Sequence, residues 1–105
     1  MTDKLLVLST APSREEARRI GRALVERRLA ACVNLASPTE SIYRWKGNVE
    51  TAEECLLLIK TTSGAFAQLR DALLDLHPYD VPECIALPVA DGSAAYLDWI
   101  TESVD

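Results

Sequence analysis

No apolar run in this chain approaches the ~20 residues that span a bilayer, so no membrane-crossing helix is expected. Positive charge is also in short supply. Eleven Lys and Arg stand against sixteen Asp and Glu, and the net charge of −5 argues against a general nucleic-acid binder, whose phosphate contacts need a basic surface. The four glycines (Gly21, Gly47, Gly64 and Gly92) are scattered, and none builds a phosphate-cradling loop. Cysteine is limited to Cys32, Cys55 and Cys84, an odd number without a C-x-x-C, which signals neither a disulfide framework nor a zinc knuckle. Each lies in an apolar stretch and reads as a buried thiol in a reducing compartment. The start, Met1-Thr2-Asp3-Lys4, lacks the order of a signal peptide, so a cytoplasmic protein is expected. Histidine occurs once, as His77.

What is present reads as one domain over residues 1–105. "KLLVLSTA" (Lys4 to Ala11) is short, nearly all apolar and followed by Pro12, which predicts a strand buried on both faces. Ser13 stands three residues before Glu16, a capping box. Ala17, Ile20, Gly21, Leu24 and Val25 then repeat at helical spacing, predicting a helix to about Leu29. Its other face mixes Arg14, Arg18, Arg19 and Arg22 with Glu15 and Glu16, as a solvated helix does. "AACVNLA" (Ala30 to Ala36) predicts a second strand, interrupted by Pro38, which suits a bulge or edge, and resumed in "SIYRW". "KGN" signals a turn, and Val49 to Thr62 returns as a third strand. The two make a long hairpin whose far end carries Tyr43, Trp45 and Val49, apolar surface that another copy of the chain would cover. Ser63 is placed to cap a second helix, which Pro78 stops. Cys84 to Ala90 predicts a fourth strand, and Ser93 caps a last short helix. The order β-α-β-β-α-β plus a C-terminal helix is an α+β fold, the ferredoxin-like split βαβ arrangement.

Chemistry concentrates in "LHPYDVPE", Leu76 to Glu83. A Ser9-His77-Asp80 triad has no nucleophile elbow to support it, and an enzyme is the weakest reading. Glu53 and Glu54 are adjacent on a strand and face opposite sides, so they cannot share a proton. Imidazole with carboxylate suits copper, zinc or nickel, yet one histidine with one or two acids is too few ligands for a closed zinc site. The alternative is that His77 closes a helix C-terminus by satisfying its last carbonyls.

In these segments the chain resembles the CutA family, the divalent-cation tolerance proteins. "VLSTAPS", "LAACVNL", "SIYRWKGNVETAEECLLLIKT", "HPYDVPECIALPV" and "YLDWI" fall in matching order over nearly the whole length. The resemblance implies a homotrimer of ferredoxin-like subunits, similar to the PII signalling proteins, with hairpins paired across subunits. It implies a cytoplasmic protein that binds a divalent metal ion, copper above all, with His77 and Glu83 as ligands and no organic cofactor. Some members carry a cysteine where this chain has Ser9, and a hydroxyl is a poorer copper ligand than a thiolate. A second implied role is a regulatory or scaffold module holding a small ligand or a partner protein in the clefts between subunits. Tyr43, Trp45, Glu54, Lys60 and Tyr79 are then the cleft residues, or else the packing of the trimer interface.

Overall fold

Pro12 ends the first strand, β1 (Lys4–Ala11), and Ser13 opens the first helix, α1 (Arg14–Glu26), in a computed structural model that describes residues 1–105. Ser13 Oγ accepts the Glu16 N–H at 3.1 Å, as the capping pattern requires. Glu16 does not reach back to complete the box; its carboxylate takes Arg19 at 2.7 Å instead. The helix ends at Glu26 rather than near Leu29, because Arg28 adopts a left-handed φ of 59°. A non-glycine residue rarely sits there. Arg28 is held by its own side chain, which donates to the Asp105 carboxylate at 2.6 Å and to the Glu102 carbonyl at 2.8 Å.

The hairpin consists of β2 (Cys32–Trp45) and β3 (Asn48–Thr62). Pro38 sits at the bulge expected for it, a register irregularity between Ala36 and Thr39 with a cis Ser37–Pro38 bond, but it does not end the strand, which continues beyond it. A bulge absorbs a residue that cannot donate to the ladder, and the hairpin arm runs on to the turn. At the tip Lys46 and Gly47 have φ of 50° and 84°, the paired left-handed geometry of a type I′ turn. That turn fixes the register, placing Tyr43 opposite Glu50 and Trp45 opposite Asn48.

The remaining elements are α2 (Phe66–Leu76), β4 (Ile85–Pro88) and α3 (Ala94–Ser103). Sheet order is β2-β3-β1-β4 with every neighbour antiparallel, the ferredoxin-like arrangement expected. The second helix starts after Ala65, not at a Ser63 cap; Thr62 Oγ1 takes the Ala65 N–H, and the Ser63 N–H goes to the Asp3 carbonyl at 2.7 Å. Ser93 sits at the start of α3 as expected, but its side chain makes no cap bond.

Side-chain alternation divides the sheet into two unlike faces. Val7, Ala11, Leu57 and Ile59 face the helices and pack with Ile20, Leu24, Leu69 and Leu73 into the main core. Gly21 permits that contact: a Cβ there would lie 3.1 Å from Val33 Cγ1. The opposite face carries Leu6 and Leu8 on β1, Leu56 and Leu58 on β3, and Ile85 and Leu87 on β4, and none of these is fully buried. The expectation that β1 is buried on both faces is therefore met on one face only within this chain. The helix count explains it, since α1 and α2 lie on one side and α3 packs its Ile100 into a small separate cluster with Ala31, Ala65 and Val104. Of the cysteines Cys55 alone is buried; Cys32 and Cys84 are half-buried at the margins of the sheet, not in its core.

The close approach at Gly21 gives a direct test. Gly21→Val should lower stability by about 2 kcal/mol through overpacking against Val33. Adding Val33→Ala should restore part of it in denaturant titrations; strictly additive losses would show that the helix–strand contact is not the cause.

Candidate functional site

Pro78 stops α2 and turns His77 into extended backbone, with φ −79° and ψ 138°. From there the imidazole folds back onto β1, buried, with Nε2 2.7 Å from the Thr10 carbonyl. A carbonyl only accepts, so Nε2 carries the proton. In the neutral ring Nδ1 is then the acceptor, and it receives the Tyr79 N–H at 3.1 Å. The two rings lie against each other, centroids 4.7 Å apart. His77 closes α2 with its backbone, the N–H donating to the Leu73 carbonyl at 3.0 Å, but its ring takes no helix carbonyl, and the Leu76 carbonyl goes to Arg19 of α1 at 2.6 Å. The imidazole is a tie between the loop that follows α2 and the first strand.

That tie sets Tyr79, whose hydroxyl donates to Glu54 Oε2 at 2.6 Å. Burial, and then the hydrogen bond to Glu54 and its charge, push the phenol well above its usual range. Glu54 is only 9% exposed, while its neighbour Glu53 points to the other side and is exposed, as strand alternation requires. Between the hairpin and the loop lies a groove of about 610 Å³. The hairpin contributes Tyr43, Trp45, Glu50 and Glu54, and the loop contributes Tyr79, Asp80 and Glu83.

Four of the five expected cleft residues, Tyr43, Trp45, Glu54 and Tyr79, thus line one groove. Lys60 does not. It shares the sheet face with Glu54 but lies six residues further along β3, about 20 Å at strand rise, where it donates to Asn34 at 2.9 Å and to Tyr96 at 3.2 Å. The expected metal pair is divided in a different way. Glu83 lines the groove, whereas His77 stands behind Tyr79 with both ring nitrogens engaged. Ser9 faces the helices, fully buried, and its Oγ has no partner. No three His, Cys, Asp or Glu side chains converge on one point within the chain. As arranged, the residues do not present a metal with a free imidazole nitrogen. Glu50 and the Thr10 carbonyl were not singled out by sequence; the hairpin register, once the type I′ turn is known, puts Glu50 opposite Tyr43 and on the Glu54 face.

The raised Tyr79 pKa has a sign that can be checked. A phenol that ionises less readily when folded leaves stability unchanged below pH ~10 and costs stability above it, as the unfolded chain releases the proton first. In alkaline titration the phenolate absorbance lost in Tyr79→Phe should appear together with unfolding; its appearance in the still-folded protein would contradict the Tyr79–Glu54 bond.

Comparison with known proteins agrees with this construction. Residues 5–103 match the family model described as CutA1 divalent ion tolerance protein. The Divalent-cation tolerance protein CutA of Thermus thermophilus is 55% identical over 98 residues, covering 93% of this chain and 95% of that one. Its solved structure superposes with a TM-score of 0.95 at 53% identity, covering 97% and 99% of the two chains. Human Protein CutA is 50% identical over 98 residues, 90% of this chain and 55% of that protein. A structure from Archaeoglobus fulgidus, described as a periplasmic divalent cation tolerance protein CutA, gives a TM-score of 0.94 at 42% identity over 97% and 99% of the chains. With the ferredoxin-like sheet, the long hairpin and the C-terminal helix in place and nearly every residue inside the match, this chain belongs to the CutA1 divalent ion tolerance protein family.

Proposed function

We propose that this chain takes part in the response to divalent metal ions as a cytoplasmic homotrimer whose clefts hold a small ligand, a sensing role and not a catalytic one. The observation that carries the reading is the groove itself, a built cavity with a nearly buried carboxyl in its wall. Support for the oligomer comes from the uncovered sheet face. Leu6, Leu8, Leu56 and Leu58 form an apolar strip that Ile85 and Leu87, 53% and 42% exposed, extend, while Ile42 and Val49 are 67% and 66% exposed on the other face of the hairpin arm. Apolar area of that extent on a sheet calls for a protein cover, and copies of the same chain supply one. The free Cys32 and Cys84 favour a reducing compartment.

A second reading, copper held by His77 and Glu83, is favoured by one feature. The unprotonated nitrogen of His77, Nδ1, is the one on the loop side, next to Tyr79. An ion there must first displace the Tyr79 N–H, so binding would open the loop.

Sedimentation equilibrium should give three times the 11.5 kDa of the chain, and Leu58→Glu should shift the population toward the single chain. A wild-type monomer would remove the trimer from the proposal. Calorimetry with copper, zinc and nickel on wild type and His77→Ala separates the two readings. The sensing reading expects unchanged metal affinity and a stability loss of about 1–3 kcal/mol from two broken hydrogen bonds. A selective loss of copper binding in both His77→Ala and Glu83→Gln would establish the second reading.

A further inference from the structure

The groove has a pronounced chemical bias. Glu50, Glu54, Asp80 and Glu83 line it, and none of the eleven Lys and Arg side chains does. Glu54 is the most informative of the four. It is nine-tenths buried, takes part in no ion pair, and accepts one hydrogen bond, from the neutral Tyr79 hydroxyl. A carboxylate has room for about four such bonds, and a buried one left without a cation is costly. Its remaining acceptor capacity belongs to a wall of the groove.

Three aromatic rings line the same groove, Tyr43 and Trp45 from the hairpin and Tyr79 from the loop. Indole and phenol faces attract cations, Trp most strongly. The chain demonstrates this at the groove's end, where Lys46 Nζ stands 6.0 Å from the Trp45 ring centroid. The volume of about 610 Å³ lies within the ~300–1,000 Å³ of small-molecule sites, and aromatic walls with a few placed polar groups are their usual lining. The four acids are spread along the groove and do not converge as ligands of one bare ion would.

We infer that the groove takes a small organic cation, an ammonium or guanidinium on an apolar or hydroxyl-bearing body, with Glu54 as its counter-ion and Trp45 and Tyr43 against its body. The inference rests on the reading of this groove as the ligand site and names the class of ligand. Tyr79 holds the Glu54 carboxyl in place, so it is a positioning residue whose loss should weaken cation binding while leaving the charge requirement intact.

Calorimetry on the full chain tests it with choline, agmatine and spermidine as probes. The controls are 3,3-dimethylbutan-1-ol, a neutral isostere of choline, and adenosine monophosphate, an anion. At least one of the three cations should bind with one site per chain, and the neutral isostere should not. Glu54→Gln should weaken that binding by roughly tenfold or more, the loss of a charge-assisted contact. Glu53→Gln, on the opposite face, should leave it unchanged. Should Glu54→Gln fail to fold, the double variant Glu50→Gln, Asp80→Asn keeps the test, with an expected loss of several-fold as two surface-accessible charges go. Undiminished cation binding in Glu54→Gln overturns the inference. Binding of the nucleotide or the alcohol alone, sensitive to Trp45→Ala, overturns the cation class while the groove stands as a ligand site. If none of these probes binds, and Glu54→Gln instead dissociates the oligomer, the carboxyl serves a subunit contact and both readings fall.

Discussion

The antiparallel pairing of β1 with β3 decides where almost every other group in the molecule can go. Opposing Leu8 to Leu58 and Ser9 to Leu57 sends one set of side chains to the helices and the next set away from them. On the helix side the register yields a closed core of Val7, Ala11, Leu57 and Ile59. On the other side it yields an open strip of leucines that ends, one strand alternation past Leu56, at Glu54. A slip of one residue along either strand would exchange the face that Leu6, Leu8, Leu56 and Leu58 occupy for that of the core set. The fold, the open apolar face and the position of the groove's central carboxyl are three consequences of one register.

His77 extends that control to the loop after α2. A residue with one donor and one acceptor in a flat ring can join the Thr10 carbonyl to the Tyr79 amide across a buried gap, and the neutral imidazole is the side chain that offers both at this reach. A second proton on the ring would remove the acceptor and leave two donors facing Tyr79's N–H and Thr10's carbonyl. The arrangement therefore depends on a neutral His77, and Tyr79, Glu54 and the groove wall depend on it in turn. This also explains why a lone histidine can be essential to a site without lining it.

Much of this was legible in the sequence because it depends on local rules. Ser13 caps α1, "KGN" turns the hairpin, Pro78 stops α2, and Glu53 and Glu54 part to opposite faces, each as residue chemistry dictates. The failures share a different origin. Pro38 cannot donate to a ladder and suits a bulge or edge; the strand is nonetheless not divided, because the irregularity between Ala36 and Thr39 takes in Pro38 itself and the pairing resumes beyond it. Ser63 stands at a capping position in the sequence, but the helix opens after Ala65, whose N–H goes to the Thr62 hydroxyl, and the Ser63 backbone is drawn to Asp3, sixty residues away in sequence. Lys60 and Glu54 are grouped because both fall in the segment that resembles the family's hairpin, whereas within one chain the strand's own length separates them. Arg19 as the partner of the Leu76 carbonyl, and Thr10 as the partner of the His77 ring, require the packing of α1 against α2 and of the loop against β1, which no local pattern encodes.

The groove and the uncovered leucines are not independent features. Glu54 and Leu56 are neighbours on the same face of β3, and Tyr43 and Trp45 belong to the hairpin arm whose Ile42 and Val49 are exposed. A second chain that covers the leucine strip as proposed must come within a few ångströms of the groove wall, since residues two apart on a strand are separated by ~7 Å. Anything that fills the groove then changes the surface the neighbour meets, and the neighbour changes the groove by the same free energy, because linkage between two binding events is reciprocal. The β1–β3 pair, set in the core, cannot absorb the difference, whereas the exposed hairpin tip can, and the 77–83 loop follows through the Tyr79–Glu54 bond. On this geometry a small ligand would report to the assembly through the two segments that line it, and the assembly would set how tightly that ligand is held.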